Sequence, residues 1–377
     1  MRHTRLEVDL DNIAYNIRQI RQRITSVSKM MAVVKADGYN HGIIEVAEIA
    51  IKNAVDWLGV AELKEAVILR EAGIQLPILV LGMCSPTQAG QVVRYGLSQT
   101  VCDHQLVKAL SAEAQSLGQV ARVHVKVDTG MGRLGLLPRE AVSFVEEIVD
   151  CQSIAVEGIF THFSTAHEKD KSHTKLQVKR FTEVITALEK KGIDIPIKHA
   201  ANSAAVLDIP SAYFDLVRIG IMLYGLYPSS QVSRSIHLRP ALSFRTQVVY
   251  LKTVPVGFGI GYGRTFVTRR KTRIATLPVG YAHGYNRALS GKGEVLIEGK
   301  RAPVLGTVCM NMTLVDVSHI PGVKVGDEAV LFGKQEGAEI TVDELALKIG
   351  TISHEILCNV NREVPRIYIK KGRNISR

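Results

Sequence analysis

The chain has 377 residues, 46% of them hydrophobic, and a formal net charge of +11. That length predicts two domains, and no apolar run approaches the roughly 18 residues of a membrane span. The five cysteines are scattered with no Cys-x-x-Cys pair, which argues against a disulfide framework or a metal such as structural zinc; the basic residues lack interleaved aromatics, which argues against a nucleic-acid surface.

In chain order, residues 1–10 alternate like a strand and have no signal-peptide core, so cytoplasmic residence is expected. From residue 31 to about 225, short apolar runs alternate with amphipathic stretches. Strands are predicted at 31–35, 57–61, 77–82, 98–102, 122–127, 156–160, 197–201 and 216–220. Helices are predicted between them, as at 42–53, 104–117, 139–149 and 174–191. Eight strand–helix units imply an α/β fold, a (β/α)8 TIM-type barrel. A doubly wound sheet is the alternative, but it usually has fewer strands. The polar link at 228–235 divides a barrel domain, 1–235, from a mostly β C-terminal domain, 236–377, with which residues 1–10 could pair. Strands there are predicted at 241–254, 272–278, 293–297, 302–308 and 328–332, and helices at 341–349 and 353–358.

The first barrel strand is predicted to end on Lys35, followed by a polar, glycine-containing loop. Barrel enzymes keep catalytic groups at such strand ends. A poorly solvated amine there favours its neutral, nucleophilic form. The plain alternative is a lysine reaching out to water.

The segment Val33-Val-Lys-Ala-Asp-Gly-Tyr-Asn-His-Gly42 resembles the lysine motif of the alanine racemases, which bind pyridoxal 5'-phosphate (PLP). Further matches follow in the family's order: Val125-Lys-Val-Asp-Thr-Gly-Met-Gly-Arg-Leu-Gly135, Gly158-Ile-Phe-Thr-His-Phe163 and His199-Ala-Ala-Asn-Ser203. Then come Val217-Arg-Ile-Gly-Ile-Met-Leu-Tyr-Gly225, Gly261-Tyr-Gly-Arg-Thr-Phe266, Pro278-Val-Gly-Tyr281 and Val308-Cys-Met310. The resemblance spans nearly the whole chain.

It implies a role for each matching position. Lys35 would carry PLP and act as base on one face of the substrate. Tyr262, contributed by the partner subunit of a homodimer, would be the base on the other face and would reach His162 and Arg218. Without the resemblance, Tyr262 reads as a turn aromatic. Arg218 would donate to the pyridine nitrogen. Because arginine keeps its protons, that nitrogen stays largely unprotonated, which favours racemisation over amino transfer. The plain alternative for Arg218 is a strand-end salt bridge. Phosphate would be held by the N–H groups of Gly220 and Ile221, by Ser203 and by Tyr39. Asn202 shares the motif of His199, which would lie beside the pyridoxal ring; a turn glycine and a core histidine are the plain readings of Gly220 and His199.

Arg133 would bind the substrate carboxylate or the cofactor's phenolic oxygen. Lys126 matches a position often carbamylated in the family; a lysine paired with an acid is the alternative. Met310 would offer its N–H to the carboxylate across the dimer, and Tyr281 would narrow the entrance. Two positions depart from the family pattern: Asn311 stands where aspartate is usual, and His354 where a tyrosine usually touches the phosphate. The resemblance implies racemisation of L-alanine to D-alanine for cell-wall precursors. The departures leave open a racemase of broader specificity, with serine foremost. A non-catalytic PLP-binding barrel would lack the second domain, and a barrel decarboxylase would need a different pocket.

Overall fold

Short apolar runs become parallel strands here because each is buried on both faces. After β1 (Arg5–Asp9) come β2 (Lys29–Val33), β3 (Trp57–Val60), β4 (Ile78–Val80), β5 (Ser98–Val101), β6 (Ala121–Lys126), β7 (Ile154–Phe160), β8 (Ile197–His199) and β9 (Leu216–Ile219). The eight strands from β2 on form one sheet in the order β8-β7-β6-β5-β4-β3-β2-β9. At its two ends, Asp215 N–H donates to Lys198 O (3.0 Å) and Arg218 N–H to Ala201 O (2.9 Å), which nearly closes the barrel. The helices between strands bury one apolar stripe each. In Pro138–Val149 the buried residues are Ala141, Phe144, Val145 and Ile148, the i, i+3, i+4, i+7 pattern. Proline in its first turn and Glu140, which accepts from Leu137 N–H (3.0 Å), set its start.

The computed structural model describes residues 4–24 and 28–375. The barrel unit comprises Asn12–Gly38 and Gly42–Arg239; the second unit takes the chain up to Asp11, the short piece Tyr39–His41, and the chain from Pro240 on.

The second unit carries β10 (Leu242–Gln247), β11 (Tyr250–Val254), β12 (Gly259–Ile260), β13 (Phe266–Val267), β14 (Thr272–Leu277), β15 (Glu294–Ile297), β16 (Lys300–Pro303), β17 (Thr313–Asp316), β18 (Glu328–Gln335), β19 (Ala338–Ile340), β20 (Arg366–Lys370) and β21 (Arg373–Ile375). Two helices follow β19, at Val342–Ile349 and Ser353–Cys358. β1 lies inside the largest sheet of this unit, antiparallel to β10 and parallel to β20. Ion pairs fasten it: Arg245 Nε meets Glu7 at 2.6 Å, and Arg5 Nη2 meets Glu328 at 2.6 Å. Among the described residues, no helix is long and apolar enough to cross a membrane.

Several predicted boundaries move, three of them with a consequence for the architecture. β2 ends at Val33 rather than at Lys35, because the backbone turns left-handed from Ala36 (φ 53°). The single strand expected at 241–254 is two, β10 and β11. Between them Val248 N–H turns to Asp327 O while Val249 N–H turns to Thr276 O, so the chain changes sheets. The strand expected at 302–308 is β16, which starts at Lys300 and stops at Pro303.

A charge network ties β15 and β16 to the first late helix. Arg301 Nη1 meets Glu344 at 2.6 Å and Glu294 at 2.9 Å, and Lys348 Nζ meets the same two carboxylates at 3.0 and 2.8 Å. The hydrogen bond from Arg301 is the largest influence on the Glu344 carboxyl and holds it down to about 2. The unfolded value is about 4.3, so this stabilisation is complete above roughly pH 5 and is lost as pH falls toward 2. Glu344 is a quarter exposed, and solvent screening limits the effect to roughly 1 kcal/mol. Glu344→Gln should lower the denaturation midpoint at pH 7, and its gap from wild type should shrink as pH drops from about 5 to 2. Chemical denaturation across that range checks this; a constant gap would rule out the charge as the cause.

Candidate active site

Lys35 opens a turn of unusual hand. Ala36, Asp37, Gly38, Tyr39 and Asn40 have φ of 53°, 56°, 61°, 51° and 71°. Left-handed backbone costs an L-residue about 1–2 kcal/mol, a cost that only Gly38 escapes. Hydrogen bonds hold the turn in the barrel unit. Glu65 Oε1 accepts from Ala36 N–H (2.6 Å) and its Oε2 from Ala61 N–H (2.9 Å). Asp37 Oδ1 accepts from Ile43 N–H (3.0 Å), and Gly38 N–H donates to Val34 O (2.8 Å). Glu65 was not an expected site residue; the spacing Glu62-x-x-Glu65, a capping pattern, is the signal that could have found it.

At the end of β9 the side chain of Arg218 is buried, at 4% exposure. Its Nη1 donates to His199 Nδ1 (2.9 Å). Its Nη2 donates to Thr161 O (2.7 Å), Ala200 O (2.9 Å) and His162 Nδ1 (3.2 Å). The alternative reading of Arg218, a strand-end salt bridge, is not formed: among the described residues, no carboxylate lies within ion-pair distance of this guanidinium. A guanidinium can only donate, so both imidazoles accept at Nδ1 and keep their proton at Nε2. Neutral rings are required, and burial first and the Arg218 charge second hold both histidines well below the ordinary imidazole range. Arg218 itself is pushed down to about 9, by burial first and by Arg133 second. It remains a cation at neutral pH. Its Nε–H meets no acceptor among the described residues.

Lys126 is buried on β6, with Nζ 4.4 Å from the centre of the Phe160 ring. Among the described residues it has no carboxylate within ion-pair distance. Burial, then Arg218, then Arg133 hold its ammonium well below the ordinary lysine range. The alternative of a lysine paired with an acid is not what the structure shows, and the crowding of positive charge favours the neutral amine. Arg133 is exposed on the loop after β6, which Asp128 shapes by accepting from the N–H groups of Gly130 (2.9 Å) and Met131 (2.8 Å).

The residues expected to hold phosphate are partly committed to the protein itself. Asn202 Oδ1 accepts from Ala205 N–H (3.1 Å) and starts the turn at Ser203. Ser203 Oγ accepts from Gly220 N–H (3.0 Å), so one of the two expected backbone donors already has a partner. The N–H of Ile221 has none among the described residues. Together these residues fit a phosphorylated heterocycle: a cationic Nε–H for a ring nitrogen, a hydroxyl and an N–H for phosphate oxygens, and a lysine amine for an aldehyde.

The second unit presents the remaining candidates. Asn40 Nδ2 donates to Leu357 O (2.9 Å) and Val360 O (2.5 Å), and Arg366 Nε donates to Asn40 O (3.0 Å). That anchor fixes Tyr39, whose phenol burial pushes upward and whose ring lies 6.0 Å from His354. Tyr262 is 75% exposed on a turn bounded by Gly261 (φ 68°) and Gly263 (φ 71°). Its hydroxyl bonds to nothing among the described residues, while its carbonyl accepts from Thr307 Oγ1 (3.2 Å). Tyr281 N–H donates to Cys309 O (3.1 Å) and Ala282 N–H to Met310 O (3.0 Å). Glycine is needed at 280, where a Cβ would fall 2.1 Å from Cys309 O. This contact sets Tyr281 beside Met310 and the exposed Asn311.

A family profile described as "Alanine racemase, N-terminal domain" matches residues 8–228, and one described as "Alanine racemase, C-terminal domain" matches 241–368. "Alanine racemase 2" of Caldanaerobacter subterraneus is 48% identical over 99% of this chain and 96% of its own length. The "Alanine racemase" of Halothermothrix orenii is 47% identical over 98% of each chain. Among solved structures, the "alanine racemase" of Clostridium difficile 630 superposes with a TM-score of 0.95 at 38% identity, covering 99% of this chain and 97% of that one.

If the Arg218 charge holds its neighbours neutral, Arg218→Gln should let His162 and His199 titrate at higher pH than in wild type. Site-resolved 15N spectra of the histidine rings measure this. Unchanged titration would show that burial alone sets both rings.

Proposed function

The chain belongs to the alanine racemase family, a group of amino-acid isomerases, and from that membership we propose that it interconverts L- and D-alanine with PLP held on Lys35, as a cytoplasmic homodimer supplying D-alanine for cell-wall precursors. The observation that carries the PLP reading is the Arg218 guanidinium. It is buried, it has no carboxylate partner among the described residues, and its Nε–H is unassigned.

When bound, PLP supplies a conjugated ring that takes up the electron pair left when Cα loses its proton. The chain's residues do the rest. Arg218 offers its Nε–H to the ring nitrogen without giving the proton up, which limits how far that pair is drawn away. Lys35 takes or returns the Cα proton on one face. Tyr262 of the partner subunit does so on the other. His162 has Nδ1 occupied by Arg218, so only its Nε2–H is left to steady that phenolate. The exposure of Tyr262, Tyr281 and Met310 (75%, 41% and 56%) supports their being covered by a second subunit. Ser203, Tyr39 and the Ile221 N–H hold phosphate, with His354 beside Tyr39. Arg133, with the N–H of Met310, receives the substrate carboxylate. Burial and two guanidinium groups favour the neutral amine of Lys126, the form that adds CO2; the resulting carbamate would offset one of their two charges.

Borohydride reduction of the PLP-loaded protein should fix the cofactor to one peptide, that of Lys35. A label on another lysine would exclude the assignment. Tyr262→Phe should retain PLP and lose about 10² to 10⁴ in turnover. Heterodimers of Lys35→Ala and Tyr262→Phe subunits should regain activity, since one of their two sites holds both bases. Confirmed heterodimers that stay inactive would rule out shared sites.

A further inference from the structure

The Arg218 cluster extends past the residues expected to meet the cofactor. His199 Nε2 carries the proton left to it by the Arg218 contact and lies 2.9 Å from His124 Nδ1. His124 therefore accepts there and holds its own proton at Nε2, 3.3 Å from Glu157 Oε2. Glu157 also accepts from Ser98 Oγ (2.6 Å). The result is a single file of donors running from Arg218 through His199 and His124 to Glu157. A donor-only cation stands at one end and an acceptor-only anion at the other, so both ends dictate the same tautomers. Both imidazoles are fully buried. Phe160 stacks on His199 with ring centroids 4.6 Å apart, and Trp57 meets His124 edge-on at 5.4 Å.

Two backbone features make room for this file. Gly158 faces His124, where a Cβ would fall 2.2 Å from Nδ1. The β6–β7 register also shifts: Val123 pairs with Val156 but His124 with Gly158, which leaves Glu157 as an extra residue in the ladder. Such a bulge re-aims a side chain. Regular alternation would have pointed Glu157 away from the face shared by Gly158 and Phe160. Burial works to raise the Glu157 carboxyl, but the hydrogen bonds from His124 and Ser98 outweigh it and leave an anion at neutral pH.

We propose that Glu157 is a positioning residue for the racemase reaction: through His124 and His199 it offsets the charge of Arg218 and so weakens the hydrogen bond that Arg218 gives to the cofactor's ring nitrogen. The proposal rests on the PLP reading above. Glu157 touches neither cofactor nor substrate. Its charge strengthens His124 as an acceptor, and each bond in the file polarises the next. A weaker donor at the ring nitrogen draws less of the electron pair into the ring, and the proton returns to Cα. Without the Glu157 charge, more protons should end on the cofactor's own carbon. The substrate C–N bond is then hydrolysed, and alanine plus PLP become pyruvate plus pyridoxamine phosphate.

Glu157→Gln keeps the shape, lets the amide oxygen accept from His124, and removes only the charge. In the PLP-loaded variant, pyruvate released per racemisation should rise several-fold over wild type. In the cofactor-free protein, the ring 15N resonances of His124 and His199 should move as their hydrogen bonds weaken. Ser98→Ala removes a competing donor to the carboxylate and should shift those resonances the opposite way, which keeps the test open if Glu157→Gln folds poorly. Unchanged resonances in both variants, or an unchanged pyruvate yield in folded Glu157→Gln, would overturn the proposal. A wild type that fails to racemise alanine would instead remove the racemase reading, and the resonance shifts would still report on the file.

Discussion

Taking a guanidinium out of water is costly unless its N–H groups are satisfied, and Arg218 is buried with only neutral acceptors around it. That requirement reaches outward through the barrel. Thr161 and Ala200 give up carbonyls just past the ends of β7 and β8, and the Arg218 backbone N–H meets Ala201 O where the sheet closes. One side chain and its own backbone thus bind three strand ends together. The same requirement fixes the protonation of His162 and His199, because a ring that must accept at Nδ1 has to be neutral.

Ion pairs occur in both units, but the cluster around Arg218 handles charge differently. In the β-rich unit the cations come with partners, as in the group of Arg5, Glu7, Arg245 and Glu328, or that of Arg301, Glu294, Glu344 and Lys348. These are fastenings between strands and helices. At the strand ends around Arg218, by contrast, Arg133, Lys126 and Arg218 influence one another with only Asp128 and Cys102 countering them at Lys126. A positive field left this open is suited to guests that bring negative charge, a phosphate and a carboxylate. Unbalanced charge held in a fixed scaffold is a mark of function more than of stability.

The barrel was readable because parallel strands buried on both faces appear as unbroken apolar runs, and all eight were found. The end of the first strand was misplaced by two residues, since nothing in Lys35-Ala-Asp announces a left-handed turn before Gly38. In the other unit, β12 and β13 are two residues each, and β21 is three, of which Arg373 and Asn374 are polar. Apolar periodicity has little to register in such segments. The motifs located the residues around Arg218, but not their order of donation, which depends on which nitrogen faces which atom. Glu157 was invisible for a related reason. Its side chain reaches His124 only because one strand carries an extra residue, and a bulge in a parallel pair leaves no mark in composition.

Ala36, with φ 53° and ψ 48°, sits in the mirror image of an ordinary helix. So do the residues just after it, and the shape is one that a D-amino acid adopts without the clash between Cβ and the following carbonyl oxygen. A member of the alanine racemase family thus keeps an L-alanine of its own in backbone suited to the other enantiomer. In a chain assembled by chemical ligation with D-alanine at this position, the turn would lose that local strain. The loop that carries Lys35 would then depend less on Glu65 to keep its handedness.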